Sequence, residues 1–231
     1  VTARFTLSAL DYQAAYGRGN LVGLDQEAIT GLLNTVARIG VIDTHLHGSN
    51  SWRTPYGPAV LHEQWIALLA SAIADDDYIK AYQQTLCHFR DHAIERNGRV
   101  KSRWAYTCED AIPGTCDSLG FYEAQWGYLL DANPDFVINV VELFDLCGVL
   151  DWLRTFKFSC EQVLQHLLDR DQDGDHLVEM MTDDHAQARG SDWIDIIWAS
   201  YENSFVNALM YRALTLWADA EELLQDQPAA D

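Results

Sequence analysis

The sequence predicts an all-α fold, a toroid of helical hairpins in which inner helices are wrapped by outer ones. From about residue 59 onwards the chain is a succession of helix-type patterns, joined in pairs by loops that alternate in length. The segment PDFVINVVELFDLCG, which begins at Pro134, is apolar nearly all round, as expected for a helix buried on both sides. A layered toroid accommodates such helices better than a simple bundle does.

Residues 1–48 are predicted to form an irregular N-terminal segment that contains one helix. The stretch DQEAITGLLNTVARIG has an N-cap at Asp25 and a glycine stop at Gly40. The following stretch, VIDTHLHGSNSWRTPYGP, is rich in Gly, Pro, Ser and Asn and predicts a long irregular loop. Residues 49–231 then form the helical-hairpin domain.

The helices of this domain are predicted in order from their apolar spacing and end signals. AVLHEQWIALLASAIA has helical spacing, and DDDYIKAYQQTLCHFRDHAIERNG begins with acids and ends in Asn-Gly. A polar loop over residues 99–118 follows. The next helices are predicted in LGFYEAQWGYLLDAN, PDFVINVVELFDLCG and VLDWLRTFKFSCEQVLQHLLDRD, and the last helical stretch covers residues 191–224.

Composition excludes several classes of protein. The net charge of −20 argues against nucleic acid, because phosphate binding needs clustered Lys and Arg. There is no basic amphipathic face for an anionic membrane, no bilayer-length apolar run and no signal-peptide pattern. The five cysteines are widely spaced and include no CxxC pair, so we expect free thiols in a reducing cytosol and a cytoplasmic location.

Two short motifs suggest metal sites. VIDTHLHGS resembles the first strand of a metal-dependent amidohydrolase barrel, with His45 and His47 as ligands, but the helical sequence that follows favours a loop. In DRDQDGDHLVEMM, an EF-hand loop that begins at Asp169 would place Met180 where a bidentate Glu belongs. We therefore predict a tight turn in which Asp side chains cap backbone N–H groups and Gly174 is left-handed. No cofactor is expected, although a weak Ca²⁺ site is left open at Asp171, Asp173 and Asp175.

Carboxylates and aromatic rings occur together along the helical domain, near helix starts and Gly/Pro loops. Flat sugar faces stack on indole and phenol rings, while carboxylates accept hydrogen bonds from sugar hydroxyls and act as acids or bases. Each residue taken alone has an ordinary explanation as core or surface. The collection favours a carbohydrate as the partner.

The chain resembles the six-hairpin glycosidases over roughly residues 50–225. These (α/α)6-toroid enzymes include the glucosidase domain of glycogen debranching enzymes and the trehalase-like and mannosylglycerate-hydrolase-like groups. Their Asp-rich DxDGDGL turn, W-[IM]-D segment and NALWYRAL-like helix correspond here to residues 171–177, 193–195 and 207–214. The resemblance implies an incomplete (α/α)6 barrel, because full domains of this class are longer, and we expect a fragment or truncated form.

The resemblance also implies where the catalytic acids lie. LHEQWIALLA is similar to the family motif GRDTFIAL, whose aspartate, the general acid, corresponds to Glu63. LLDANPDFVINVVEL is similar to a pocket-lining helix, which places Asp131 or Asp135 nearest the sugar. Debranching-type members carry a Glu just before a helix that reads INALWYNAL. Here that position is Phe205, and the nearest acid is Glu202. The general base of debranching-type members lies near the C-terminal end of their domain, beyond this chain.

We therefore predict a glycoside hydrolase, inverting, that acts on α-linked gluco-oligosaccharides or a related sugar. In that scheme one carboxylic acid protonates the leaving oxygen and a second carboxylate, about 6.5–9.5 Å away, activates water. The alternatives are a non-catalytic carbohydrate-binding or scaffold protein on the same fold and, third, a metal-dependent amidohydrolase through His45 and His47. The predicted catalytic residues are Glu63 and Asp135, and the predicted substrate-binding residues are Trp52, Trp126, Asp131, Trp193, Asp195 and Glu202.

Overall fold

The computed structural model describes residues 41–43, 46–47, 59–62, 76–104, 111, 113–123, 128–180, 190–192 and 201–225. These residues are mostly helical, and only a small share of them lies in strands. The prediction of a mainly helical fold is confirmed at this level. Among the helices of the described part, none is long and apolar enough to cross a membrane.

Five helices lie in the described residues, and one of them is central. They are α1 (Asp76–His92), α2 (Ala132–Cys147), α3 (Leu150–Arg154), α4 (Lys157–Leu168) and α5 (Ser204–Gln225). Helix α2 packs against the other four, most extensively against α5. The site described below lies at its N-terminal end.

Helix α2 is buried because its sequence is apolar nearly all round. All residues from Ala132 to Val141 are buried, which confirms the prediction made for this segment. The helix ends at Gly148, which adopts φ 64° and donates its N–H to the carbonyl of Phe144 at 2.7 Å. A left-handed residue directly after the last turn is the common way to end a helix.

The segment predicted as one helix over residues 149–171 contains two helices, because the chain turns between α3 and α4. At the turn, Thr155 donates its backbone N–H and its hydroxyl to the carbonyl of Trp152, at 3.0 and 2.7 Å. The turn buries Phe156 completely, with ring centroids 4.6 Å from Trp152 and 6.1 Å from Phe136. Burial of an aromatic ring in the core outweighs the local preference for a continuous helix.

The strands are only two or three residues long. The seven strands of the described part are β1 (Val41–Asp43), β2 (Leu46–His47), β3 (Ala59–Val60), β4 (Arg103–Trp104), β5 (Phe121–Tyr122), β6 (Tyr128–Leu129) and β7 (Gly190–Ser191). A three-stranded antiparallel sheet has the order β3-β4-β5, β1 pairs antiparallel with β2, and β6 pairs parallel with β7.

Several of these strands correct the sequence-based assignments. The helix predicted over residues 119–133 is wrong, because β5 and β6 lie within it. Phe121 and Tyr122 are both buried and both paired with β4, and burial on the two faces of a strand is incompatible with a one-sided helical pattern. Ala59 and Val60 were predicted to begin a helix but form β3, and the predicted loops over residues 41–58 and 99–118 contain β1, β2 and β4.

The two strands described within the motif VIDTHLHGS, β1 and β2, pair antiparallel and not as neighbours in a parallel barrel. Val41 pairs with His47, and Asp43 pairs with Leu46, in antiparallel register. An amidohydrolase barrel would require the strand before His-x-His to lie between parallel neighbours. The described strands therefore give no support to the third functional alternative.

Cys116 is disulfide-bonded, and its partner lies outside the described residues. The prediction that all five thiols are free is therefore wrong for this cysteine, whereas Cys87, Cys147 and Cys160 are free as predicted. The absence of a CxxC pair does not exclude a disulfide, because two cysteines need only lie within bonding distance in the folded chain.

Candidate functional site

The candidate site is built around two buried carboxylates at the N-terminal end of α2. Asp131 immediately precedes the helix and Asp135 lies one turn later, with its N–H donated to the Asp131 carbonyl at 2.9 Å. Both residues have 0% of their surface exposed. Residues four apart share one face of a helix, so the two carboxylates point the same way. Together with His62 they form a group whose nearest polar atoms all lie within 4.8 Å of one another.

His62 contributes a neutral imidazole to this group. Its Nδ1 lies 4.0 Å from Asp131 Oδ2, a separation at which a charged imidazole would form an ion pair. However, burial and, to a smaller extent, the charge of Arg103 lower the pKa of His62 to about 3. The imidazole is therefore uncharged at neutral pH, and it can donate or accept a hydrogen bond but does not balance the charge of a carboxylate.

Arg103 provides the positive charge at this site. It lies in β4, is almost completely buried, and is close enough to His62 to lower the pKa of the imidazole. Ionised carboxylates are stable inside a protein only where cations or hydrogen-bond donors offset the loss of water. The site thus combines two acids, one guanidinium and one neutral imidazole, contributed by segments that are far apart in the sequence.

Asn139 holds the segment that carries His62 against α2. It accepts a hydrogen bond from the hydroxyl of Tyr82, and its Nδ2 donates to the Leu61 carbonyl at 3.0 Å and to the Asp135 carbonyl at 2.7 Å. All three partners are buried, so these bonds are not in competition with water. The backbone directly before His62 is thereby fixed to the helix that carries Asp135.

Asn133 fixes the first turn of α2 in the same way. Its Oδ1 accepts from the Val100 N–H at 3.1 Å and from the Tyr128 hydroxyl at 2.6 Å. Its Nδ2 donates to the carbonyls of Gly98 and Val163 at 2.9 and 2.8 Å. Every hydrogen-bond donor and acceptor of the amide is used. These bonds therefore fix the orientation of the acidic end of α2.

A second acidic group, the acidic turn (residues 171–179), follows α4. Asp171 accepts from the N–H groups of Gly174 and His176 at 2.7 and 3.1 Å. Asp173 accepts from the Asp175 N–H, and Asp175 accepts from the Leu177 N–H, at 3.2 and 2.9 Å. Gly174 has φ 80°. The predicted turn, with aspartates capping backbone N–H groups and a left-handed glycine, is confirmed.

The end of the acidic turn is fastened to the start of α5. The Asn207 side chain accepts from the Val178 N–H at 2.7 Å and donates to the Val178 carbonyl at 3.1 Å, as a paired strand would. Met180 donates its N–H to the Tyr201 carbonyl at 2.8 Å, and Glu179 and Glu202 form an antiparallel bridge. Glu202, predicted to contact substrate, is thus placed beside the acidic turn, within 4.8 Å of Asp173 and Asp175.

Among the predicted site residues, the structure brings Asp131 and Asp135 together and places Glu202 in a different acidic group. The backbone of His47 lies in β2. The remaining predicted residues lie outside the described part of the chain, namely Glu63, Trp52, Trp126, Trp193, Asp195 and His45.

Sequence reasoning missed His62, Arg103 and Asn139 as members of the site. A signal was present for Asn139, because Asp131, Asp135 and Asn139 recur every four residues in an otherwise apolar helix. Polar residues on one stripe of a buried helix indicate a shared polar contact. Arg103 had no such signal, since its side chain reaches the site only through the pairing of β4 with β3.

No known family model matches the chain, and no curated protein matches it significantly. The resemblance to six-hairpin glycosidases therefore stays a prediction.

Proposed function

We propose that the chain is a glycoside hydrolase of the six-hairpin type, built on a toroid of helical hairpins and acting on α-linked gluco-oligosaccharides or a related sugar. The observation that supports this proposal is the convergence of Asp131, Asp135 and His62 at the start of α2. Both aspartates come from the segment that the resemblance places nearest the sugar. Acids at a fixed position beside a neutral imidazole and a guanidinium suit both hydrogen bonding to hydroxyls and acid–base chemistry.

The spacing of the two aspartates limits their roles. Their nearest oxygens lie within 4.8 Å, well below the separation of about 6.5–9.5 Å that leaves room for the attacking water of an inverting enzyme. Asp131 and Asp135 are therefore not the acid–base pair of that scheme by themselves. In our proposal Asp135 supplies one carboxylate, Asp131 positions it, and Glu63, which follows His62 in the sequence, is the general acid.

One observation favours the second candidate, a non-catalytic carbohydrate-binding or scaffold protein on the same fold. Neither Asp131 nor Asp135 exposes any surface, whereas a catalytic carboxylate has to reach a glycosidic bond. In a scaffold the same group would serve as a buried ion-pair cluster that sets the orientation of α2. The two candidates differ in a measurable way, because only the hydrolase requires the charge at residue 135 for turnover.

The test is sugar release by the 231-residue chain from α-linked disaccharides, maltodextrins, trehalose and rhamnosides, with Asp135→Asn compared to the wild type. We expect release from one substrate class and a fall in kcat of about 100-fold or more in the variant. The matched control is Asp145→Asn, which removes an exposed carboxylate from the same helix and should leave kcat unchanged. Thermal unfolding of each variant distinguishes lost chemistry from lost structure.

Two outcomes would overturn the proposal that the chain is a hydrolase. One is no release from any substrate while a sugar still binds, and the other is a folded Asp135→Asn protein with wild-type kcat. In the first case the binding protein takes its place. Glu63→Gln completes the series, since the proposed general acid should be needed for turnover but not for binding of the sugar.

The disulfide at Cys116 leads us to propose an oxidising compartment rather than the cytosol predicted from cysteine spacing. Disulfides persist in secreted or periplasmic settings and are reduced in most cytosols. We expect three free thiols after denaturation without reductant, and Cys116→Ser should lower the free energy of unfolding by about 2–4 kcal/mol. Cys147→Ser, at a free thiol, is the control. Five free thiols in the denatured, unreduced protein would favour the cytosol instead.

A further inference from the structure

Five carboxylates converge where the acidic turn meets the segment before α5. They belong to two groups of three, in each of which the nearest oxygens lie within 4.8 Å of one another. Asp171, Asp173 and Glu179 form one group, and Asp173, Asp175 and Glu202 form the other. Asp173 belongs to both, so the two groups form one continuous acidic site. It shares no residue with the group around Asp135.

Glu179 distinguishes this site from an ordinary acidic surface. Only 1% of its surface is exposed, although its neighbours Asp173 and Asp175 are exposed. Its Oε1 accepts from the Gln172 N–H at 3.0 Å and from the Tyr201 hydroxyl at 3.1 Å. Its Oε2 is buried and has no hydrogen-bond donor within the described residues. A buried carboxylate oxygen that lacks a donor needs a cation nearby.

The charge of Arg170 acts on Glu179, but among the described residues no cation forms an ion pair with the Glu179 carboxylate. Arg170 directs its guanidinium to the backbone carbonyls of Glu179 and Met180, at 2.8 and 2.9 Å, rather than to a carboxylate. The imidazole of His176 lies 3.8 Å from Asp171 but is 95% exposed.

An acidic group on the helices differs from the acidic turn, because an arginine pairs with one of its members. Partial burial raises the pKa of Asp145 there, and the nearby carboxylates of Glu142 and Asp219 raise it further. In that group, however, Arg212 pairs directly with Glu142. The acidic turn has no such arginine or lysine pair among the described residues.

We propose that the acidic turn and Glu202 bind one Ca²⁺ ion. The proposed ligand atoms are all carboxylate oxygens, four from the acidic turn and one from Glu202. Such a set suits Ca²⁺, which takes six to eight oxygen ligands in a flexible geometry. Zn²⁺ favours His and Cys ligands, and Mg²⁺ requires a stricter octahedral arrangement. Glu179 is the anchor ligand, because Tyr201 and Gln172 already hold its other oxygen in place.

Ion binding at this site would connect three segments of the chain. The ligands come from the turn after α4, from the strand-like segment at Glu179 and from the residues immediately before α5. Because Ca²⁺ would bind only the folded arrangement of these segments, it should raise the thermal stability of the whole chain.

The test is calorimetric titration of the full chain, previously treated with a chelator, with CaCl₂ and no sugar present. We expect one ion per chain and a rise in melting temperature with Ca²⁺, with a weaker response to Mg²⁺. Asp173→Asn, which removes the carboxylate common to both groups, should weaken binding by about 10-fold or more. Asp145→Asn, the control in an acidic group in which an arginine pairs with one member, should bind Ca²⁺ like the wild type.

Glu179→Gln tests the anchor separately, because glutamine keeps the oxygen that accepts from Tyr201 while removing the charge. It should weaken binding as strongly as Asp173→Asn does. If the buried substitution Glu179→Gln prevents folding, the exposed substitution Asp173→Asn still tests the proposed Ca²⁺ site. Absence of a heat signal and of a melting shift with Ca²⁺ would overturn the proposal, and so would an unchanged affinity in Asp173→Asn. Neither result depends on whether the chain hydrolyses sugars.

Discussion

Two acidic groups of the molecule use the same residue types in opposite environments. At the start of α2, Asp131 and Asp135 are fully buried beside a neutral His62, whose pKa is lowered in part by the charge of Arg103. In the acidic turn, the aspartates are largely exposed and their oxygens accept from backbone N–H groups of their own loop. Aspartate in the first group requires partners from distant segments, whereas aspartate in the second is satisfied locally.

The buried group should therefore be sensitive to substitution and to pH, while the turn should tolerate changes that leave its backbone intact. The interactions at the start of α2 join segments that are distant in sequence, and they are shielded from solvent. Water therefore does not replace a lost partner there. At the exposed aspartates of the turn, water takes the place of a lost partner at small cost. The substitutions below test this contrast.

Gly98→Ala and Gly174→Ala give the sharpest comparison, because both glycines have positive φ, of 88° and 80°. At Gly98 an added Cβ would lie 2.3 Å from the carbonyl oxygen of Gln162, whereas at Gly174 it would meet nothing within 4 Å. We expect Gly98→Ala to lower the free energy of unfolding by about 3–5 kcal/mol, from overlap and backbone strain together. Gly174→Ala should cost only the strain, about 1–2 kcal/mol. Equal losses in urea unfolding would contradict the contrast.

Asn133→Ala removes the amide that joins α2 to the 98–100 loop and to α4. It leaves two buried N–H or O–H donors and two carbonyls without their partner, so the free energy of unfolding should fall by about 2–4 kcal/mol. Asn97→Ala, in an exposed position of the same loop, is the control and should cost less than about 1 kcal/mol. Chemical denaturation measures both, and a loss at Asn133 no greater than at Asn97 would be inconsistent with a rigid α2 start.

His62 makes the buried group sensitive to acid. Its pKa in the folded chain is about 3, whereas an unfolded histidine has a pKa of about 6.5, so the unfolded chain binds the proton more tightly. Stability contributed by neutral His62 is therefore complete above about pH 6.5 and is lost as the pH falls towards 3. Between pH 6.5 and 5 the loss from this residue should be about 2 kcal/mol.

Denaturation at several pH values checks this expectation by comparing the wild type with His62→Gln, which should lack that part of the pH dependence. His176→Gln, at an exposed imidazole of the acidic turn, is the matched control and should follow the wild-type curve. A wild-type slope in His62→Gln would mean that His62 is protonated in the folded chain at pH 5. The neutral imidazole assigned to the site would then be wrong.

How far the sequence predicts this structure depends on how local each interaction is. Helix α2 is predictable because its own residues are apolar nearly all round. The acidic turn is predictable because its aspartates accept hydrogen bonds from backbone N–H groups of the same loop. The helix assigned to residues 119–133 failed because pairing with β4, not periodicity, decides the structure of Phe121 and Tyr122. The apolar pattern alone does not separate a short buried strand from a helix.

The same reasoning applies to the candidate site. Asp131 and Asp135 were predictable, since both precede or begin a recognisable helix. Arg103 was not, because its position depends on strands that pair over more than forty residues of sequence. The neutral state of His62 was equally hidden, since it follows from burial and from the neighbouring guanidinium rather than from adjacent residues.

The double hydrogen bond between Asn207 and the backbone of Val178 has a consequence for how the chain opens. One side chain satisfies both the N–H and the carbonyl of Val178, so this peptide unit is attached to α5 without belonging to a strand ladder. The amide proton of Val178 should then exchange with solvent at the rate of the first turn of α5 and not at the rate of the exposed loop before it. Fraying of a helix start and release of the acidic turn would thus be a single cooperative event.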